Sequence, residues 1–190
     1  MGKIPILKTD LYLIVEGYAD SITISRITKE LVLKYNVKIV ESLGFDNIVN
    51  RYLNYASKYP YSKILIFCDL DNKKTVKDIR KLFTDKDVNI DINTIYFVNP
   101  MIEFLWFISR KRQAVKYTKK KDFAKFIERE FGVLEYKGSK IQVDKIIKQL
   151  NSNDIRNMFV NIKMIISSND LDLPATNILK LTQLLEEKDL

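Results

Sequence analysis

The chain has 190 residues, 46% of them hydrophobic, and a formal net charge of +8 at pH 7. It contains no histidine and one cysteine, Cys68, which excludes Ser-His-Asp catalysis, histidine acid–base catalysis, the common zinc hydrolase sites and an internal disulfide. The excess of Lys and Arg fits a polyanionic partner such as nucleic acid, and it fits a lysine-rich coding bias equally well.

The hydrophobic pattern of the first 110 residues predicts strands that alternate with helices. We expect strands over 11–16, 37–41, 63–69 and 94–98, and helices over 20–35, 47–58, 75–83 and 101–109. Asp20 or Ser21 can cap the first helix. The apolar runs 11–16 and 63–69 are typical of strands buried on both faces of a parallel sheet. The alternation predicts an α/β fold of about four mostly parallel strands, with helices on both faces.

The rest of the chain predicts a helical extension, with helices over 119–131, 141–151, 153–167 and 175–187. No Gly/Ser-rich or Pro-rich stretch marks a flexible linker. We therefore divide the chain into an α/β core over 1–110 and a basic, mainly helical extension over 111–190 that packs on it. The sequence shows neither a signal peptide nor an apolar run of membrane-spanning length, so we expect a cytoplasmic protein without a membrane partner.

Acidic residues stand at the carboxyl ends of the two most apolar strands. Glu16 ends the first, and Asp69 and Asp71 end the second. If these strands are neighbours, their three carboxylates meet in one small volume at the mouth of the sheet, where open α/β proteins bind ligands. Carboxylates that are this close together repel one another unless they are protonated or bridged by a cation. All-oxygen ligation suits Mg²⁺ or Mn²⁺. The sequence therefore predicts a divalent-metal site.

Two further acids are candidates for the same site. Asp20 lies in the first turn of the helix that follows Glu16, where it can reach the same cation or serve only as a cap. Glu103 stands among Met, Ile, Phe, Leu and Trp, and a charge in such surroundings needs a partner. It is either part of the metal site or an ordinary acid at a helix N-terminus.

A basic cluster follows the α/β core, and it has two interpretations. It comprises Arg110, Lys111, Arg112, Lys116, Lys119, Lys120 and Lys121. One aromatic residue, Tyr117, is interleaved. Such a cluster can track a nucleic-acid backbone beside the acidic centre. It can equally be a solvated loop and helix start.

The acidic motifs resemble the TOPRIM domain. A strand that ends in Glu16-Gly17, followed by a strand that ends in Asp69-Leu-Asp71, is similar to the signature shared by topoisomerases, bacterial primases, OLD-type nucleases and small RNA-processing nucleases. The spacing from Glu16 to Asp20 is similar to the OLD-type branch, in which the extra acid helps to hold a second metal ion. The resemblance covers about residues 11–109.

Two later stretches resemble RloB-type TOPRIM proteins, which are linked to restriction and phage-defence loci. Asn99-Pro-Met-Ile-Glu103-Phe-Leu-Trp106 is similar to their Asn-Pro-x-x-Glu-x-x-Trp-like stretch. Glu135-Tyr-Lys137-Gly138 is similar to their Tyr-x-Lys-Gly patch, although it is one residue shorter. This resemblance implies that Lys137 lies near the metal, where a lysine can stabilise the negative charge that develops in phosphoryl transfer.

Together these features predict a Mg²⁺- or Mn²⁺-dependent endonuclease, either a DNase or an RNase, with a link to phage defence implied by the resemblance. The expected catalytic residues are Glu16, Asp69, Asp71 and Lys137, and the expected metal ligands are Glu16, Asp20, Asp69, Asp71 and Glu103. Metal-bound hydroxide would make a histidine base unnecessary.

Three alternatives stay open. The chain can be a nucleic-acid-binding or effector subunit that needs a partner protein or a second copy, or a structural adaptor whose acids are vestigial. The stretch Phe67-Cys-Asp69-Leu-Asp71-Asn also resembles haloacid-dehalogenase-type phosphatases, in which the first Asp is the nucleophile. Against that family, Lys73 stands where Thr or Val is usual, and a Glu-Gly strand comes first.

Overall fold

The computed structural model describes residues 8–70, 75–111, 120–166 and 175–187. Strands and helices alternate as β1 (Asp10–Val15), α1 (Tyr18–Thr28), β2 (Asn36–Glu41), α2 (Ile48–Lys58), β3 (Lys63–Asp69), α3 (Val76–Thr84), β4 (Ile95–Asn99) and α4 (Glu103–Arg110). They are followed by α5 (Lys120–Phe131), α6 (Lys140–Gln149), α7 (Ser152–Ile166), β5 (Ala175–Thr176) and α8 (Ile178–Leu185). Short 3₁₀ turns, Phe45–Asn47 and Ile92–Thr94, precede α2 and β4.

The strands form one sheet in the order β2-β1-β3-β4-β5. The first four strands are all parallel, and helices flank the sheet. The expected α/β fold, with a parallel sheet of about four strands, is therefore confirmed, and its architecture is Rossmann-like. The two-residue strand β5 pairs antiparallel with β4, so residues 175–176 do not begin a helix as the sequence predicts. They pair with β4 because its outer edge is otherwise open, and the local sequence does not reveal that edge.

Helices cover both faces of the sheet, and successive strand side chains point alternately to one face and to the other. One face carries Leu11, Leu13, Val15, Leu65, Phe67, Tyr96 and Val98, and α1, α4 and the C-terminal helices cover it. The other face carries Ile66, Cys68 and Ile95, and α2 and α3 cover it. Cys68 is buried in this second cluster, as its apolar context indicates.

The C-terminal helices complete the first of these two clusters. Helix α7 packs on α4, and α6 packs on α1. Phe123 of α5, Val143 of α6 and Ile155 of α7 are buried in the same cluster as Leu13 of β1. The segment after residue 110 thus supplies one wall of the core of the parallel sheet.

Helix α1 differs from the predicted helix at both ends. Gly17 occupies the N-cap position, and Asp20 lies at the third helical residue, from which its carboxylate accepts a hydrogen bond from the Gly17 backbone N–H at 3.0 Å. The helix ends at Thr28 instead of continuing to about residue 35. Farther on, the Lys34 N–H donates to the Leu185 carbonyl of α8, so this stretch pairs with a distant segment instead of forming a further helical turn.

None of the helices within the described ranges combines the length and the apolar character that crossing a membrane requires.

Candidate active site

The acidic residues meet at the carboxyl edge of the sheet, between β1 and β3. These strands are direct neighbours, with Val15 paired to Phe67, so Glu16 and Asp69 follow at the same edge. The chain leaves β1 toward β2 on one side and returns to β3 on the other side. Such a reversal of strand order opens a crevice between the flanking loops, and open α/β sheets bind their ligands in this crevice.

Asp69 is the last residue of β3, and it points to the face that α1 and α4 cover. It follows Leu65 and Phe67 at intervals of two residues, which places all three on the same side. Its carboxylate accepts a hydrogen bond from the Ile102 backbone N–H. Its Oδ1 atom is buried, and no hydrogen-bond partner for it lies in the described part of the chain.

Asp20 is 5% exposed and faces the same crevice from α1. Its Oδ2 accepts the Gly17 N–H, whereas Oδ1 is buried without a hydrogen bond from any described residue. Burial raises the pKa of Asp20 to about 7, because it disfavours the charged carboxylate, and the nearby charges of Glu16 and Glu103 add to this effect. The hydrogen bond from Gly17 opposes the shift only in part.

Glu103, the first residue of α4, is 6% exposed. Its Oε1 accepts a hydrogen bond of 2.8 Å from the hydroxyl of Tyr136. Burial, and after it the charge of Glu103, raise the pKa of Tyr136 far above its usual value, so this hydroxyl remains a donor. The Tyr136 ring also packs edge-on against Trp106, whose indole N–H donates to Thr23 at 3.0 Å.

Tyr136 is a site residue to which the sequence assigned no role. The apolar surroundings of Glu103 signalled that this acid needs a partner, and Tyr136 stands in the Tyr-x-Lys-Gly-like stretch. Since 33 residues separate the two, their pairing depends on how α5 and α6 pack, and the local pattern does not contain it.

Glu16 stands directly after β1 and is half-buried. Its backbone carbonyl accepts hydrogen bonds from the Gly44 N–H at 3.0 Å and from the Ser42 hydroxyl at 3.2 Å. The loop after β2 therefore fixes the backbone of Glu16. The charge of its carboxylate contributes to the raised pKa values of Asp20 and Asp69, which places it in the same electrostatic cluster.

An open cavity of about 190 Å³ lies among Asp20, Asp69 and Glu103; we call it the acidic cavity. It is lined by Ala19, Asp20, Asp69, Met101, Ile102, Glu103, Tyr136, Lys137 and Gly138. Lys137 belongs to the loop before α6, where its backbone N–H donates to Gln142 at 2.9 Å. Gln142 also completes the capping box of Ser139 at the start of α6, so this helix start holds the loop against the cavity.

The acids carry an unfavourable concentration of negative charge. The pKa of Asp69 lies well above its usual value because the residue is buried, with further increases from the charges of Asp20, Glu103 and Glu16. Oxygen donors of this kind suit Mg²⁺ or Mn²⁺, and the buried Oδ1 atoms of Asp20 and Asp69 are the atoms that a cation would satisfy.

As the side chains stand, residues 8–70, 75–111, 120–166 and 175–187 contain no group of three or more Asp, Glu or Cys that is arranged to hold a metal ion. Asp71, which the sequence predicts as a ligand, lies outside the described residues. The donor chemistry therefore fits a divalent cation, while the ligand set among the described residues is incomplete.

The members of the basic cluster have different surroundings in the structure. The Arg110 guanidinium turns inward, donating to the carbonyls of Glu130 at 2.9 Å and Gln149 at 3.2 Å, and it stacks 4.3 Å from the centre of the Phe131 ring. The Lys111 ammonium lies 3.2 Å from the Glu130 carboxylate. Both residues thus interact with their own chain, which leaves little of Arg110 for a ligand.

The other predicted contacts to nucleic acid are less defined. Lys121 is exposed on α5. Outside the described residues lie Arg112, Lys116, Lys119 and the side chain of Lys120.

Comparisons of the chain with protein-family models, with curated proteins and with solved structures gave no match in any of the three.

Proposed function

We propose that this protein is a metal-dependent nuclease that hydrolyses phosphodiester bonds in nucleic acid at a TOPRIM-like site. The observation that carries the proposal is the pair of carboxylates, Asp20 and Asp69, that line an open cavity and each keep one buried oxygen without a described hydrogen-bond partner. A carboxylate that serves only stability is normally paired or solvated, because leaving a buried polar atom unsatisfied costs about 1–3 kcal/mol.

The position of the acids supports a site for chemistry. They lie at the crevice where the strand order reverses, and this crevice is the usual place for ligands in an open α/β sheet. Groups with strongly shifted pKa values also concentrate at functional sites. The motifs at Glu16 and Asp69 resemble the TOPRIM signature, and this resemblance, together with the net charge of +8, favours nucleic acid as substrate.

Each residue has a role in this proposal. Glu16, Asp20 and Asp69 would hold Mg²⁺ or Mn²⁺, and Asp71 is expected to join them. A divalent ion at such a site supplies an activated water and neutralises charge on the phosphate. Tyr136 holds the Glu103 carboxylate in place by its hydrogen bond.

Lys137 adds a positive charge to the lining of the cavity, where it can attract the phosphate and stabilise charge that develops on its oxygens. The buried rings of Trp106 and Tyr136 pack against each other next to Glu103 and give this side of the site an apolar boundary.

The test is cleavage of a panel of single- and double-stranded DNA, tRNA and structured RNA in Mg²⁺, Mn²⁺ or EDTA. We expect metal-dependent cleavage by the wild type and a loss of at least about 100-fold in Glu16→Gln and Asp69→Asn. Asp85→Asn is the matched control, because Asp85 is exposed at the end of α3 and does not line the acidic cavity. Equal cleavage by all variants would rule out this site.

The same panel separates the nuclease from a subunit that depends on a partner. Binding of nucleic acid without cleavage under any metal condition would contradict the nuclease and favour the partner-dependent alternative. Activity that a second protein restores, and that Asp69→Asn abolishes, would then assign the chemistry to this site in a complex.

A further inference from the structure

The acidic cavity is too small to receive a nucleotide. Its volume of about 190 Å³ lies below the range of about 300–1,000 Å³ that is common for small-molecule sites. A phosphate and a metal ion can enter it, but the base of a bound nucleotide needs another surface. If the protein cleaves nucleic acid, a site for the neighbouring nucleotide must lie within reach of the acids.

A second cavity, of about 350 Å³, opens beside α2; we call it the α2 cavity. It is lined by Ser42, Leu43, Asn47, Asn50, Arg51 and Asn54. Three of these residues, Asn50, Arg51 and Asn54, belong to α2, and Asn47 is its N-cap. Positions 47, 50, 51 and 54 follow the helical period, so they lie on one face of the helix, while Ile48 and Val49 on another face are buried in the core.

The lining of the α2 cavity consists of amides, a cation and an apolar wall, without a carboxylate. Within the described ranges, the guanidinium of Arg51 and the amide of Asn54 make no hydrogen bond or ion pair. Lys86 donates to the Oδ1 of Asn50 and adds a second positive charge at the rim. Leu43 is 70% exposed and has a φ of 63°, a backbone conformation that leucine rarely adopts.

The α2 cavity is joined to the acidic site through the backbone. Ser42, which lines the cavity, donates from its N–H to the Val15 carbonyl at 2.8 Å and from its hydroxyl to the Glu16 carbonyl at 3.2 Å. Both places therefore lie at the carboxyl edge of the sheet, on adjacent strands. A larger cavity, of about 620 Å³, is lined in part by Lys63 and residues 91–94, which stand at the amino ends of β3 and β4. These residues lie at the other edge of the sheet from the acids.

We propose that the α2 cavity binds the nucleotide next to the phosphodiester that is cleaved, with Arg51 on its phosphate and the asparagine amides on the edge of its base. This inference rests on the proposed nuclease function and names the part of the substrate that gives it base preference. A guanidinium matches the geometry of a phosphate, and an asparagine amide offers the donor and the acceptor that a base edge requires.

The first test is the binding of short labelled single-stranded oligonucleotides in EDTA, measured by fluorescence anisotropy over a series of KCl concentrations. Loss of one phosphate contact in Arg51→Gln should weaken binding and reduce the slope of log K against log salt by about 0.7. Arg80→Gln is the control, because Arg80 is exposed on α3 and lines neither cavity, and its slope should equal that of the wild type.

The second test compares homopolymeric oligonucleotides with different bases. Asn54→Ala should reduce the ratio between the best and the worst base by at least about fivefold, since a base edge would lose a donor and acceptor pair. Unchanged slope in Arg51→Gln, together with unchanged base ratios in Asn54→Ala, would overturn the inference. The inference would also be overturned if a free mononucleotide bound through Arg51 but did not compete with the oligonucleotide.

These measurements keep the two proposals separate. Because binding is measured in EDTA, it does not depend on cleavage. Metal-dependent cleavage combined with binding that ignores Arg51 would overturn the α2 cavity alone. Binding that depends on Arg51, in a protein that cleaves nothing in the panel, would support the cavity and contradict the nuclease.

Discussion

At the scale of single residues, the central feature is a set of acids that destabilise one another. Asp20 and Asp69 are buried by the core that α1, β3 and α4 build, and each raises the free energy of the other when both are charged. Proteins tolerate such an arrangement where a ligand or a proton relieves it. Burial and this repulsion lead to two predictions, one for a substitution and one for pH.

Asp69→Asn should raise the melting temperature of the metal-free protein, since it removes a buried acid that must either take up a proton or keep an unfavourable charge when the chain folds. A gain of about 1 kcal/mol would shift the midpoint by about 2–4 °C in a chain of this size. The same variant should lose the increase in melting temperature that Mg²⁺ or Mn²⁺ gives to the wild type. Thermal unfolding with and without metal measures both effects, with Asp85→Asn as the control. A variant that keeps the full metal response would contradict the ligand set.

The metal-free protein should lose stability as the pH rises from about 5 to 7.5. The folded state raises the pKa of Asp20 from 3.8 to about 7, so in this window the folded protein holds a proton that the unfolded chain releases. The contribution of Asp20 to the free energy of unfolding is therefore largest below its pKa in the unfolded chain. This contribution is lost as the pH rises through its pKa in the folded protein. The raised pKa of Asp69 makes the stability depend on pH in the same direction.

Unfolding midpoints across this pH range check the prediction, and Asp20→Asn should flatten the dependence. The carboxylates with lowered pKa values, such as Asp10 and Asp78, titrate below this window, and the chain has no histidine that would titrate inside it. A slope that Asp20→Asn leaves unchanged would assign the effect to other groups.

At the scale of elements, the C-terminal helices are joined at their ends by one arginine from α4. Arg110 donates to the last carbonyls of α5 and α6, and its guanidinium lies 3.7 Å from the carboxylate of Asp154 in α7. Carbonyls at helix ends lack partners within the helix, and a cation there also interacts favourably with the helix dipole. The sequence grouped Arg110 with the residues that contact nucleic acid, whereas its contacts are those of a structural residue.

Arg110→Met should therefore destabilise the fold by about 2–4 kcal/mol, because it removes hydrogen bonds from two helix ends and leaves Asp154 without this ion pair. Urea unfolding measures the loss. Lys121→Met is the matched control, since Lys121 is exposed on α5 and its loss should leave the unfolding midpoint unchanged. An Arg110→Met variant with normal stability but weaker binding of nucleic acid would reverse this assignment.

At the scale of the whole molecule, the parallel sheet and the C-terminal helices share one hydrophobic cluster. The face of the sheet that carries Leu13 and Phe67 is closed by α4 together with α5, α6 and α7. Without those helices, a large apolar surface would meet water, and Glu103 would lose the hydroxyl of Tyr136.

A fragment of residues 1–111 should for this reason fail to unfold cooperatively and should bind a dye that reports exposed apolar surface. Circular dichroism and dye fluorescence, with the full chain as reference, test this. A fragment that unfolds in one cooperative transition and keeps a stabilising response to metal would show that the α/β part folds alone.

The sequence by itself determined the order of strands and helices in the α/β part and the place of Glu16 and Asp69 at the strand ends. Continuous apolar runs ended by Glu16 and Asp69 mark buried parallel strands, and the alternation of strands and helices specifies the parallel sheet, because hydrophobic periodicity is a local property. The pairing of β1 with β3 then confirmed that the two strand ends are neighbours, which the sequence could state only as a condition.

Only the tertiary structure decided the contacts that join distant segments. The Tyr136 hydroxyl donates to Glu103, β5 pairs with the edge of β4, and the Lys34 N–H donates to the Leu185 carbonyl. Each of these contacts links residues that are far apart in the chain. The lining of the α2 cavity lies within residues 42–54, but its Ser42 is held by the carbonyls of Val15 and Glu16, which are distant in the chain. Such contacts depend on the path of the whole chain and on which edges and helix ends remain unpaired, and no local pattern of residues records either.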